Sequence, residues 1–207
     1  MQDMPRRIEE SWFYASALER PQDELTQKVW GAAYDALDSV KGALVIIFVL
    51  FTFLMRIVGV EGPSMQPTLQ DGNWLTISPS HSTPKRGDIV VVTQPKFMQE
   101  PLIKRVIGVG GDEIDIDVAA KTVSVNGRVL NEPYISGAMS ASFLYGQQYP
   151  KTVPEGYLFV MGDNRNNSSD SRSPAVGMID ERYVLGSVTF RLFPMGKLEK
   201  YPNPDEE

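Results

Sequence analysis

The sequence predicts a mainly β fold, a folded-over sheet or barrel, joined to one membrane-spanning helix and a short helical N-terminal segment. Three observations carry this. The chain beyond Val60 is built of short apolar runs punctuated by Gly, Pro, Asn and Asp. Two of those runs flank Asn126-Gly127, a strong hairpin signal. A much longer apolar run, Ala43–Met55, precedes them all.

Residues 1–39 are polar and partly amphipathic. After Pro21, Leu25, Val29, Ala33 and Leu37 recur every fourth residue and form one helical face, suited to an interfacial helix. Ala43–Met55 covers only about 20 Å as a helix, against roughly 30 Å of hydrocarbon. Extension to residues 40–60 reaches about 31 Å, with Lys41 and Arg56 able to snorkel from near the ends. Apolar residues cover every face of this segment, which favours a span over a buried core helix. The run begins some forty residues in, and no small-residue cleavage site follows it, so a retained anchor is expected rather than a cleaved leader. Lys28 and Lys41 lie before the run and Arg56 after it, a bias that places the N-terminus in the cytoplasm and the rest outside the cell membrane.

Residues 61–200 form the expected β-rich domain. Strands are expected at Trp74–Ser78, Asp88–Thr93, Leu102–Val109, Glu113–Asp117, Thr122–Val125, Arg128–Leu130, Tyr157–Met161 and Val184–Leu192. Ser136–Lys151 reads as a long loop, and the acidic tail 201–207 as frayed. Trp74, Phe97 and Met98 could dip into a lipid interface, packing being the alternative.

The 207 residues carry a formal charge of −6, which disfavours non-specific nucleic-acid binding. With no Cys there are no disulfides, thiolate metal sites or cysteine nucleophiles, and the single His81 rules out a multi-histidine metal site. No metal or cofactor is expected.

Three segments could carry chemistry. Ser64 lies between Pro63 and Pro67 on a stiff, non-helical turn, where it either presents its hydroxyl or bonds locally. Lys104 lies in the apolar run Leu102-Ile103-Lys104-Arg105-Val106-Ile107. With period two, Lys104 shares a face with Leu102 and Val106, and Arg105 with Ile103 and Ile107, so one cation should be partly buried. A buried lysine loses its proton more readily and becomes a general base, unless its head reaches water from an edge strand. Gly162–Arg172 packs polar groups directly after an apolar strand. It is not a calcium loop, because Arg165 stands at a ligand position and both the central Gly and a twelfth-position Glu are missing. Gly108–Gly111 is not a dinucleotide loop, because the third Gly is absent and no helix follows.

Together with Gly87-Asp88-Ile89-Val90-Val91, these segments resemble, in order and spacing, bacterial type I signal peptidases of the Ser-Lys class, in their compact Gram-positive form. The resemblance runs from about residue 37 to 194, with a small insertion at about 113–157. It implies a signal-peptidase-like catalytic domain in which Ser64 is the nucleophile and Lys104 the general base. By the same resemblance Ser168 orients the lysine amine, Asp170 and Arg172 form a bracing ion pair, Gly162 and Asp163 are structural, and Met65 lines a substrate pocket. The implied substrates are exported preproteins, cut after small residues at the bilayer surface. The chain departs from the family twice. Gly62 stands where some members carry a hydroxyl residue, leaving the oxyanion to main-chain donors around Gly62 and Ser64. Gly110 stands where the family usually has Pro, which loosens a turn.

The residues support this chemistry independently of the resemblance. A serine hydroxyl needs a neighbour to take its proton. His81 sits in the polar stretch Ser80-His81-Ser82, so Lys104 is the credible base. If the span ended at Val60, the four residues to Ser64 would reach at most about 14 Å, holding the reaction near the membrane.

Overall fold

The structure, a computed structural model, describes residues 24–53, 56–78, 83–94, 98–137, 139–196 and 198. His81, Phe97, the first 23 residues and the tail from 199 lie outside them. The chain divides into two compact units, residues 1–50 and 51–207.

Residues 24–53 form one continuous helix, α1 (Glu24–Phe53). The amphipathic segment and the start of the expected span are therefore a single element, which runs through Gly31 and Gly42. Its end corrects the sequence reading. The span was expected to continue as helix to residue 60, but Arg56–Gly59 forms strand β1, antiparallel to β2 (Trp74–Ser78), with Ile57 opposite Thr76 and Val58 opposite Leu75. Ile57 and Val58 are β-branched and fit a pleated ribbon. Val60 is buried in the core of the second unit. No helix among the described residues is long and apolar enough to cross a membrane, residues 54 and 55 lying outside them.

The strands of the second unit all pair antiparallel. Its remaining strands are β3 (Ile89–Gln94), β4 (Met98–Gly108), β5 (Glu113–Asp117), β6 (Thr122–Val125), β7 (Arg128–Val129), β8 (Lys151–Thr152), β9 (Tyr157–Met161), β10 (Ile179–Asp180) and β11 (Val184–Phe193). Seven strands form one sheet in the order β1-β2-β11-β3-β4-β9-β10, and four form another in the order β7-β6-β5-β8. The second sheet is built from the expected insertion. Its β6–β7 hairpin turns at Asn126 and Gly127, with φ of 52° and 76°, the left-handed pair that a two-residue turn requires.

β3 lies near the centre of the large sheet and is buried on both faces. Ile89 and Val91 pack with Val60, Met65, Leu69, Leu75, Ile77 and Ile103, while Val90 and Val92 pack with Val106, Leu158, Val160 and Ile179. An unbroken β-branched run suits such a position. Beside it, β4 has Val90 opposite Lys104 and Ile89 opposite Arg105. Of the expected loop Ser136–Lys151, residues 139–150 are irregular apart from a short 3-10 turn at Ala141–Leu144, and Lys151 opens β8.

Candidate active site

The turn after β1 carries Ser64, and β4 carries Lys104. Ser64 is held from behind, because Asn164 N–H donates to Ser64 O at 3.0 Å and Asn164 Nδ2 donates to Pro63 O at 3.2 Å. Lys104 Nζ lies 2.9 Å from Ser64 Oγ and donates to Ile103 O, also at 2.9 Å. The lysine is 3% exposed. Burial is the dominant influence and brings its pKa down to about 8. The charges of Asp170 and Asp163 oppose the drop, and Arg172 adds to it. A groove lined by Val58, Val60, Met65, Leu102 and Ile103 opens onto Ser64 and Lys104.

The loop after β9 supports both reacting groups. Asp170 and Arg172 form a fully buried bidentate pair (Nε to Oδ1 and Nη2 to Oδ2, both 2.8 Å), and Gly162 N–H donates to Asp170 Oδ2 at 3.0 Å. Gly162 lies against the site so closely that a Cβ there would fall 2.3 Å from Ser168 Oγ and 2.5 Å from Ser64 O. Ser168 was expected to orient the lysine amine, but its Oγ, though buried, has no hydrogen-bond partner among the described residues, Lys104 included, whose amine is taken by Ser64 Oγ and Ile103 O. Asp163 is structural, as expected. It takes Arg105 through both oxygens and accepts from Thr68 Oγ1 at 2.5 Å.

Two further expectations need correction. Gly62 was expected to contribute to the oxyanion hole, but its N–H is engaged by Asp71 Oδ1 at 2.8 Å. Of the two main-chain donors expected from the sequence, that leaves the Ser64 N–H. Gly62 has φ of +81°, a conformation that disfavours any residue with a Cβ, so a hydroxyl side chain is not readily accommodated here. The other correction concerns β4. One of its two cations was expected to be buried, yet Lys104 is 3% and Arg105 only 1% exposed. Met65 borders the groove as expected, but at 1% exposed it is also part of the core. Trp74 is about half exposed, and Met98 opens β4.

Asp112 shows how the turn after β4 works without proline. Burial alone would raise its carboxyl, but Arg86, the Val109 N–H and Asn126 outweigh that and hold it below the usual carboxylate range. A Cβ on Gly110 would meet Glu155 Cα at 2.9 Å, so glycine lets the Glu155–Gly156 turn pack close.

Residues 34–193 match the protein family described as signal peptidase, peptidase S26. The chain belongs to this signal peptidase family. It is 36% identical to signal peptidase I of Bacillus licheniformis over 166 residues, which is 76% of this chain and 87% of that one. It is 34% identical to signal peptidase IB of Staphylococcus aureus (strain COL) over 184 residues, 81% of this chain and 93% of that one. A crystal structure of a signal peptidase I from Enterococcus faecalis V583 aligns over 53% of this chain and all of that one, at 30% identity and a TM-score of 0.41. As a member of the S26 signal peptidase family the chain is a serine endopeptidase.

Sequence reasoning missed Thr68 and Glu132, and the partners of Arg105 and Arg165. Arg105, Thr68, Glu132 and Arg165 all join ion pairs or hydrogen bonds that lead to the post-β9 loop. One signal was available. A guanidinium in a strand with two apolar faces needs a buried acid, and Asp163 lies two residues beyond the apolar run Tyr157–Met161.

Proposed function

We propose that this signal peptidase family member is a Ser-Lys dyad endopeptidase, anchored in the cell membrane by the segment around Ala43–Met55, that removes N-terminal signal peptides from exported preproteins on the extracytoplasmic side. The observation that carries this reading is the 2.9 Å approach of a buried Lys104 amine to Ser64 Oγ. Ser64 attacks the scissile carbonyl as Lys104 Nζ takes its proton. The Ser64 N–H faces the developing oxyanion, and the protonated lysine then passes the proton to the leaving amine. The free amine next takes a proton from water as that water attacks the acyl-serine, and it returns the proton to Ser64 Oγ as the acyl–oxygen bond breaks and the signal peptide leaves. The buried Asp170–Arg172 pair braces the loop that backs the lysine and the nucleophile turn. Small side chains before the cut suit an apolar groove walled by Val58, Val60, Leu102 and Ile103.

The test is cleavage of a preprotein by the detergent-solubilised chain, with wild type, Ser64→Ala and Lys104→Ala side by side. Mature protein should form only with wild type, both variants losing activity by about 10³-fold or more while keeping their circular dichroism. Wild-type cleavage by Lys104→Ala would refute the dyad.

A further inference from the structure

β4 carries a second buried cation that the reaction does not consume. The Arg105 guanidinium donates to Asp163 Oδ1 at 2.8 Å, to Asp163 Oδ2 at 2.6 Å and to Gly87 O at 3.0 Å. Its Cζ lies 4.0 Å from the centroid of the Tyr134 ring. Tyr134 is itself buried and follows β7, in the Glu132-Pro133-Tyr134 stretch of the insertion. Its hydroxyl donates to Glu132 Oε1 at 3.0 Å. Glu132 grips Arg165 with both oxygens, and Arg165 Nε donates to Gly162 O at 3.3 Å. Arg165 and Asp163 belong to the same post-β9 loop. The contacts therefore close a ring, from Tyr134 to Arg105, to Asp163, through the loop to Arg165, to Glu132 and back to Tyr134.

We infer that Tyr134 is a positioning residue for the general base, its ring seating Arg105 against Asp163 so that Arg105 balances the Asp163 charge and limits its pull on the Lys104 amine. This rests on the reading of Lys104 as the base. Among the described residues, the charged groups that act on that amine are Asp170, Asp163 and Arg172. Asp170 is held by Arg172. Asp163 is held by Arg105, with Thr68 adding a neutral donor. An aromatic face stabilises a guanidinium laid on it, and an aliphatic side chain does not. With the ring gone, Arg105 holds Asp163 less firmly, the carboxylate favours the ammonium form of Lys104, and less free base remains at neutral pH.

The experiment is the pH profile of kcat/KM for the full-length chain on one preprotein, comparing wild type, Tyr134→Phe and Tyr134→Leu. In wild type the ascending limb should lie near pH 8. Tyr134→Leu should move it up by about half a pH unit or more, cutting kcat/KM at pH 7 by about three- to ten-fold while the alkaline plateau stays close to wild type. Tyr134→Phe keeps the ring and should keep the wild-type limb, which separates the cation–ring contact from the hydrogen bond to Glu132. A uniform loss at every pH with an unmoved limb would mean that Tyr134 only supports the fold, and would overturn the inference. Should Tyr134→Leu not fold, Tyr134→Met carries the same expectation, and failure of both to fold also overturns it. If wild type itself shows no limb near pH 8, the base assignment fails instead, which is a different result.

Discussion

Lys104 meets opposing demands from stability and from chemistry. Its ammonium is disfavoured in the protein, with a folded pKa of about 8 against roughly 10.4 in an unfolded chain. Between these values the unfolded state binds more protons, so stability rises with pH across about 8 to 10.4 and is lowest below pH 8. Lys104→Met should therefore unfold at a higher temperature than wild type at pH 7, by the equivalent of up to roughly 2–3 kcal/mol, and the advantage should shrink as pH rises through that window. Calorimetry at pH 7 and pH 10 checks the sign. Activity runs the same way as the free amine, rising with pH through about 8. At this scale the sequence was informative but undercounted. It showed a lysine in an apolar strand, but not that Arg105 beside it is equally buried, because its acid partner Asp163 lies 58 residues away. It also offered Gly62 as an oxyanion donor, since the engagement of that N–H by Asp71 is a tertiary fact.

Among the elements, the loop after β9 governs the geometry. Gly162 has no room for a side chain, because a Cβ would push into Ser168 and into the Ser64 carbonyl. Gly162→Ala should cost about 10²-fold in kcat/KM, since a misplacement near 1 Å is enough for that, and the fold should be destabilised as well. Kinetics with a melting curve separates the two effects. Asp170→Asn leaves the buried Arg172 charge without its counterion and should destabilise by about 3–5 kcal/mol, read from urea unfolding. Most strands were legible, because period-two patterns, β-branched runs and the Asn126-Gly127 turn act locally. β1 was not. Arg56–Gly59 follows an apolar helix without a breaker until Gly59, and only pairing with β2 shows it to be a strand. β8 and β10 are two residues each, too short to show a period.

For the whole molecule, membrane attachment is the prediction with the largest consequence. The apolar run Ala43–Met55 should hold the full chain in the membrane fraction through alkaline carbonate extraction. Release into the supernatant would contradict an integral anchor and favour an interfacial helix. Family membership was legible from four ordered motifs, whereas the ring through Tyr134 and Glu132 was not, because it joins the insertion to the catalytic strand across the fold. All of the proposed chemistry depends on one amine being free of its proton near neutral pH. Its direct test is titration of Lys104 by NMR, following the Cε resonance of lysine-labelled protein and assigning it by its absence in Lys104→Ala. A midpoint near pH 8 is the predicted result; a midpoint near that of an exposed lysine, roughly 10.4, would contradict the account.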